Sequence, residues 1–406
     1  MSFQQGLSGL NLASKNLDAI GNNIANASTI GYKSARAEFA DVFAASLSGG
    51  GGAQVGIGAK VAAVRQQFTQ GNIETTSNPL DVAINGAGFF RLSSGGSITY
   101  SRNGQFSLDA NGYMVTNNGA RVTGYPADIN GQITGSTPVD LQLSFANIPP
   151  KATTDAQISL NLDSRQTTPV SAFSLTNPAS YNSSTAITVY DSQGNSHTLT
   201  TYYVKTGSNT WDVYGAADGA VLNAGAALGS LTFGAGGTLA ADTTMNASIP
   251  LTNGASTPLA IPVTFPASGM SQFGVDFAVN QLQQDGYTTG TLAGFSIGND
   301  GTILGRYTNG QSRAQGQVAL ANFVNPQGLV ALGNNQWADS ADSGQALVAA
   351  PGAGTLGVLQ AGALEDANVD LTQELVNMIT AQRVYQANAQ TIRTQDQVEQ
   401  TLVNLR

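Results

Sequence analysis

Few residues of this 406-residue chain combine the type and the spacing that chemistry requires. His197 is the only histidine and cysteine is absent, so the sequence excludes a histidine-ligated metal pair, thiolate metal sites and disulfides. A Ser-His-Asp triad is disfavoured too, because its base would have to be this one residue. His197 stands between Ser196 and Thr198 in a predicted hairpin, and we interpret it as a surface turn residue.

Three further segments match site motifs only in part. Residues 352–357 have the spacing G-x-G-x-x-G, but Pro351 precedes them and Gly362 follows, which predicts a glycine connector rather than a dinucleotide site. Segments 109–112 and 191–194 resemble the start of calcium loops, yet both lack the later bidentate Glu and predict hairpin turns. Paired acids for glycoside hydrolysis stay open because their pairing is spatial, although no motif supports them. The sequence predicts no catalytic, cofactor-binding or metal-binding residue.

The composition restricts the classes of partner. Only 10% of the residues are charged, 48 are glycine, and the net charge of −9 disfavours nucleic acid and anionic membranes as partners. The first twenty residues lack the basic and apolar regions of a secretory signal peptide. The longest uncharged run, 345–364, contains Pro351 and several glycines, so it predicts a connector rather than a membrane span. The length allows two or three domains.

The elements that must position any interaction surface lie at the two ends of the chain. Apolar residues repeat there every seven positions, which predicts helices over about 2–27 and 363–406. An amphipathic helix cannot bury its own stripe, so we expect the two ends to pack on each other, on copies of themselves, or both. The predicted polymerisation interface comprises Phe3, Leu7, Leu10, Leu17, Ile20, Ile24, Leu364, Leu371, Leu375, Met378, Tyr385, Ile392, Val398, Leu402 and Leu405.

The chain between these ends predicts short β-strands. A period of two begins at Ala59, and Asn-Gly pairs such as 103–104 and 111–112 predict tight hairpins. Pro149-Pro150 and Asp285-Gly286 mark the ends of an inserted region. The predicted fold class is mainly β with α-helical termini, comprising coiled-coil-like N- and C-terminal helices, a discontinuous β wall domain and an inserted outer β-domain. The expected domains are a helical domain (1–28 and 364–406), a connector (29–70 and 351–363), an inner β-domain (71–145 and 285–350) and an outer β-domain (146–284).

Three amides cluster near the end of the first predicted helix: Asn22, Asn23 and Asn26. One interpretation is that they mark fraying and a turn. The other is that uncharged amides form hydrogen bonds between neighbouring subunits. The sequence alone leaves both open.

Several motifs resemble those of the bacterial flagellar rod and hook proteins. Residues 370–389 resemble the C-terminal helix of that family, and 78–90 with 101–106 resemble its shared β-domain. Region 146–284 is similar to the insertion that hook members have and the shorter rod members lack. The chain is thus identified as a member of the flagellar rod/hook axial family, on the hook side. The N-terminal motif of the resemblance consists of Asn22, Asn23, Asn26, Thr29, Gly31, Tyr32 and Lys33.

The resemblance implies a structural subunit of the flagellar hook and not an enzyme. Family members of this kind polymerise into a curved, flexible tube, a universal joint that transmits motor torque from rod to filament. The implied partners are further copies of the chain, rod, hook-cap and hook-filament junction proteins, and the flagellar export apparatus, with no nucleic acid and no membrane insertion. The implied location is the extracellular part of the flagellum, reached by type III export without a cleaved signal peptide.

Two other interpretations remain. A distal rod subunit would share the helices and the wall domain, but the length and the insertion exceed what it needs. A β-rich glycan-binding adhesin or tailspike would account for the Gly- and Asn-rich strands and for the acidic balance. It leaves both heptad-patterned ends unexplained.

Overall fold

The computed structural model describes residues 2–42, 56 and 58–404, with one helix at each end of a largely antiparallel β-structure. Helix α1 spans Ser2–Ala25 and helix α2 spans Leu371–Asn404. The predicted fold class, mainly β with helical termini, is confirmed. Leu405 and the glycine run 49–52 lie outside the described residues, and of Leu402 only the backbone is described.

The chain divides into two compact units. The first takes in the described residues of Met1–Phe145, Gly294–Arg306 and Ser312–Arg406, and the second is Ala146–Ala293 with Tyr307–Gln311. The second unit continues past the expected boundary at 284, because Lys151 pairs with Tyr287 and Ile148 with Gly290 in antiparallel bridges.

The first unit is built on one large sheet, in which neighbouring strands follow the order 292–297, 302–307, 312–318, 121–126, 89–94, 97–101, 336–338 and 330–333. At its centre, Phe89, Tyr100, Phe323 and Trp337 form a buried aromatic cluster with edge-on ring contacts. The strands before the second unit are β1 Ala35–Val42, β2 Gly58–Gln66, β3 Ile73–Thr75, β4 Val82–Asn85, β5 Phe89–Ser94, β6 Ser97–Ser101, β7 Phe106–Leu108, β8 Met114–Thr116, β9 Arg121–Pro126 and β10 Val139–Asp140.

The second unit places two sheets over one core. Strands β17-β18-β11-β19 form one sheet, while β12-β13-β14-β15, with β16 on β14, form the other. Trp211, Tyr203 and Phe265 are fully buried between them. The strands of this unit are β11 Ala156–Asn161, β12 Ser183–Tyr190, β13 Ser196–Lys205, β14 Thr210–Ala217, β15 Ala220–Val221, β16 Gly229–Thr232, β17 Thr243–Ile249, β18 Leu259–Phe265 and β19 Ala278–Gln284.

The remaining strands return the chain to the first unit and lead into α2. Two of them close small sheets with earlier strands, since β27 pairs with β4 and β28 with β3. They are β20 Leu292–Ile297, β21 Thr302–Tyr307, β22 Ser312–Val318, β23 Leu320–Asn322, β24 Val330–Gly333, β25 Gln336–Ala338, β26 Leu347–Ala349, β27 Val358–Ala361 and β28 Ala363–Glu365.

The expected loose connector over 29–70 and 351–363 is wrong for its described part. Strands β1 and β2 form an antiparallel hairpin from the pair Ala35–Gln66 to the pair Val42–Gly58. Alternation along β1 turns Ala37 inward, where it is buried, and leaves Arg36 exposed. Pairing with a partner strand and packing against α1 are the physical reasons for the ordered structure, although a bulge at Glu38–Phe39 interrupts the alternation.

The C-terminal helix begins later than the heptad pattern predicted. Leu364 lies in β28 opposite Glu74, so its place in the helical stripe is wrong. Asp370 caps α2, because its carboxylate accepts the backbone N–H of Gln373 at 3.0 Å. A capping side chain satisfies an orphan amide and fixes the start of a helix, which here excludes residues 364–370 from α2.

Candidate functional site

The candidate site is the terminal helix pair and the point where it joins the β-strands of the first unit. Helices α1 and α2 lie in close contact at Gly6 and Gly9. A Cβ atom at Gly6 would lie 2.9 Å from Cγ1 of Ile392, and one at Gly9 would lie 2.7 Å from Oδ1 of Asn388. Glycine at these two positions therefore permits this close packing.

The predicted interface residues fall into two groups. One group is buried or half-buried within the chain and comprises Leu10, Leu17, Ile20, Ile24, Met378 and Ile392. The other keeps more than a third of its surface exposed and comprises Phe3, Leu7, Leu371, Leu375, Tyr385 and Val398. The structure thus brings together only part of the predicted stripe and leaves the rest on the surface.

Helix α2 has a further apolar surface that the heptad count missed. Val376, Ile379 and Val384 are about half exposed, and Ala381 alone is buried among the α2 side chains that the structure describes. The four-residue spacing of Leu375 and Ile379 was the signal for this surface. Together, Leu371, Leu375, Val376 and Ile379 form what we call the free face of α2.

The N-terminal motif forms hydrogen bonds inside the chain. Asn23 is buried, donates to the carbonyl oxygen of Ala35 at 2.9 Å and accepts the Ala35 N–H at 2.8 Å. The Tyr32 hydroxyl donates to Oδ1 of Asn22 at 2.7 Å and lies 3.2 Å from Oδ1 of Asn23. For Asn23 the intersubunit interpretation is therefore wrong, because both ends of its amide are already occupied.

The rest of the motif forms the turn after α1. Thr29 donates from its hydroxyl to Oδ1 of Asn26 at 3.2 Å. Gly31 has a φ of +70°, and a Cβ there would lie 2.6 Å from the backbone nitrogen of Asn103. This left-handed conformation and the close backbone contact both require glycine.

A buried charge cluster joins the two chain ends to the sheet. Nζ of Lys33 lies 2.7 Å from Oε1 of Glu365, and Nη1 of Arg102 lies 3.0 Å from Oε2 of the same carboxylate. Glu365 also accepts the N–H of Gly71 at 2.9 Å, while Lys33 donates to the carbonyl of Thr69 at 2.7 Å. We call Lys33, Arg102 and Glu365 the root cluster.

The root cluster is almost completely buried. This burial is the main influence on the electrostatics of its charged groups. The side chains of Lys33 and Glu365 are fully buried, and that of Arg102 is 5% exposed. Burial lowers the pKa of the Lys33 ammonium, Glu365 acts in the opposite direction, and Arg102 lowers it further. Burial likewise lowers the pKa of Arg102, opposed by Glu365. One carboxylate thus compensates two buried cations, so its loss would leave both unpaired.

Sequence reasoning singled out Lys33 but missed its partner. Glu365 stands after Ala363 and Leu364, both buried, in a chain with few charges. An acidic residue within a short apolar strand is costly to bury unless it is paired, and that was the available signal. Asn368 was missed as well. Its Oδ1 accepts the Ser34 N–H at 2.7 Å and its amide donates to the Gln67 carbonyl at 2.6 Å.

The segments first considered for chemistry have structural roles. Oδ1 of Asp109 accepts the N–H groups of Asn111 and Tyr113, both at 2.8 Å, so this segment is a hairpin turn as predicted. His197 lies in β13 with its Nδ1 2.7 Å from Oδ2 of Asp218, and its side chain is 13% exposed. The surface-turn interpretation of His197 is wrong, because the ring sits in the strand between two aspartates.

Two features of the described residues bear on metal binding and membrane insertion. Within that part of the chain, no group of three or more His, Asp or Glu side chains is placed to hold a metal ion. No helix found there combines the length and the apolar character needed to cross a bilayer.

Known protein families match the chain in four stretches. Residues 3–33 match the flagella basal body rod protein family, and 83–162 match the flagellar hook protein FlgE/F/G D1 domain. Residues 161–287 match the flagellar basal body protein FlaE D2 domain, and 360–405 match the C-terminal region of the flagellar basal body rod FlgEFG proteins.

Curated relatives and a solved structure give the same result. The flagellar hook protein FlgE of Escherichia coli K12 is 45% identical over the full length of both chains, as is that of Salmonella typhimurium LT2. FlgE of Borreliella burgdorferi is 33% identical over all of this chain and 99% of its own. The crystal structure of Helicobacter pylori FlgE2 covers 71% of this chain and 99% of its own at a TM-score of 0.51 and 14% identity, which shows a shared fold. These full-length matches place the chain in the flagellar hook protein FlgE family, as a structural subunit of the hook.

Proposed function

We propose that the chain assembles into the hook through its terminal helix pair. The free face of α2 packs on copies of the chain, and the root cluster holds the helix pair at a fixed point on the β-strands of the first unit. The partners are further copies, the rod, hook-cap and hook-filament junction proteins at the ends of the tube, and the export apparatus. The protein functions outside the cell and as a structural component, without catalysis.

The observation that supports this proposal is the exposure of the free face. Leu371, Leu375, Val376 and Ile379 each keep between 45% and 54% of their surface in solvent. They lie in the first two to three turns of α2, next to the end fixed by Asp370. Contiguous exposed apolar residues on a helix are typical of an interaction surface, and burying each such side chain contributes about 1–2 kcal/mol. A helical polymer repeats that gain at every subunit.

The test is assembly of purified chain carrying Leu375→Asp. A charge in a packed helical seam costs several kcal/mol, so we expect the critical concentration for tubes to rise at least about a hundredfold. Electron microscopy and sedimentation measure the tubes, and circular dichroism measures the thermal unfolding of the free chain. That unfolding should stay unchanged, because Leu375 is exposed in the single chain.

Leu375→Met is the matched control, since it keeps an apolar side chain of similar volume. It should form tubes at the wild-type concentration. Normal tubes from Leu375→Asp would remove the free face from the assembly surface. Equal loss of tubes in both variants would show that shape rather than burial at this position decides assembly.

A further inference from the structure

One acidic side chain at the helix pair, that of Glu374, has a buried oxygen atom without a hydrogen-bond partner in the described part of the chain. Glu374 lies in the first turn of α2 and lines a cleft of about 670 Å³ between α1, the start of β1 and α2. Its Oε2 atom is buried and has no hydrogen-bond partner among the residues that the structure describes. A carboxylate oxygen that is removed from water without gaining a hydrogen-bond partner is destabilising.

The polar groups around the cleft do not compensate this charge. Glu374 and burial together raise the pKa of the Tyr32 hydroxyl, with burial the larger cause, but that hydroxyl donates to Asn22 and Asn23. Arg36 also lines the cleft, yet it is exposed and forms no ion pair with any described residue. The cleft therefore has a negative group and enough volume for a side chain from outside.

The same helix carries a cation without a partner. Arg383 is exposed on α2 and forms no ion pair within the described part of the chain. It follows Ile379 by four residues and Val376 by seven, so it extends the free face toward the C terminus. On a straight helix it points away from Glu374 by roughly 180°, since nine residues turn the helix through about 900°. One chain therefore cannot pair the two.

We propose that the cleft beside Glu374 receives the Arg383 guanidinium of a second copy of the chain. The inference rests on the proposed function, since it names the polar contact that aligns the apolar free face of one copy with its neighbour. A guanidinium matches a carboxylate with two parallel hydrogen bonds and reaches into a cleft on a long apolar stem. Each copy carries both halves of the pair, as a repeating head-to-tail contact requires.

The first test is charge exchange. Glu374→Arg and Arg383→Glu should each lower the assembled fraction at least tenfold, and the double variant Glu374→Arg/Arg383→Glu should restore it. Glu374→Arg combined with Arg36→Glu or with Arg393→Glu should not restore it. Rescue by Arg36→Glu would identify an intrachain pair and overturn the proposal, and failure of the Arg383 double variant to recover would do the same. Circular dichroism of each free variant checks that it folds.

The second test uses the absence of cysteine from the chain. Glu374→Cys and Arg383→Cys lie about 13 Å apart along one helix, too far for a disulfide within one copy. Oxidising tubes of the double cysteine variant should give a ladder of covalent multimers, whereas each single variant should give at most dimers. Tubes without a ladder overturn the pairing and leave the proposed function standing. If the wild-type chain forms no tubes at all, both the proposed function and this pairing fail.

Discussion

The second unit and the terminal helix pair differ in how far their large apolar residues are buried. In the second unit, Trp211, Tyr203 and Phe265 are fully buried between two sheets. In the 34-residue helix α2, Ala381 alone is buried among the described side chains, while Leu375 and its neighbours remain exposed. The second unit encloses its own core, whereas the helix pair leaves apolar surface exposed to solvent. Under the proposed function, stability inside one chain and assembly between chains depend on different residues.

The root cluster marks the transition between these two kinds of packing. It holds the segment after α1 and the segment before α2 to the sheet by buried ion pairs, next to buried apolar residues such as Leu364. Ion pairs in fixed geometry specify direction better than apolar contacts do, because each donor needs its own acceptor. The comparison can be tested by substitutions on each side, which follow from the largest expected effect to the smallest.

Removing the shared carboxylate of the root cluster should have the largest effect. Glu365→Ala leaves Lys33 and Arg102 buried without an anion, and we expect the free energy of unfolding of the first unit to fall by about 3–5 kcal/mol. Urea titration followed by circular dichroism measures it. Glu38→Ala, which breaks an exposed pair with Arg65, is the control and should cost less than about 1 kcal/mol. Equal losses would mean that the cluster contributes no more than a surface pair.

We expect a smaller loss of unfolding free energy from Trp211→Phe in the core of the second unit. The indole N–H donates to Oε1 of Gln272 at 2.6 Å, and phenylalanine would leave that oxygen unpaired and a small void. We expect a loss of about 2 kcal/mol in the unfolding free energy, with no change in assembly. Calorimetry follows the transition of the second unit, because the one tryptophan left in the variant, Trp337, lies in the first unit. Val170→Ala, at a fully exposed site, should leave it unchanged.

Two glycines of α1 should respond in opposite directions to alanine. Gly21→Ala adds a methyl group where no atom lies within 4 Å, so better helix propensity should stabilise α1 by about 0.5–1 kcal/mol. Gly6→Ala adds a methyl group 2.9 Å from Cγ1 of Ile392, so this side chain has to shift. The cost of that shift should cancel or exceed the gain in helix propensity. Thermal melting of the helical dichroism signal compares the two. The same stabilisation at both sites would argue against close contact of the helices in the free chain.

The smallest effect is a pH dependence of the second unit. Burial alone would lower the pKa of His197, but its hydrogen bonds to Asp218 and Asp191 outweigh this and raise it above 6.5. A raised folded-state pKa gives stability that is complete below pH 6.5 and is lost as the pH rises through the folded-state pKa. We expect a decrease below about 1 kcal/mol, measured by denaturant titration of the wild type between pH 5.5 and pH 9. His197→Gln should show a flat profile over this window, and an equally sloped one would assign the effect to another group.

Local patterns in the sequence were enough to predict the two terminal helices and several turns. Heptad spacing predicted a helix at each end, and the Asp109 to Gly112 segment predicted a hairpin turn, because periodicity and turn chemistry act over a few residues. The same pattern misplaced Leu364, because an apolar residue seven positions before Leu371 fits a strand next to a cap as well as a helix. The glycine-rich run 49–52 led to the separate prediction of a loose connector, where the described residues show β1 paired with β2.

What the sequence by itself determined is which residues need partners. It determined that two apolar helices flank a β-rich chain and that few charges are available for specific contacts. Only the tertiary structure determined which residues are the partners of these side chains. Glu365 meets Lys33 across 332 positions of sequence, and Asn23 turns inward to Ala35 instead of outward to a neighbour. Such pairings depend on how distant segments meet in space, which no local period encodes, because each side chain's free energy depends on what surrounds it once the chain has folded.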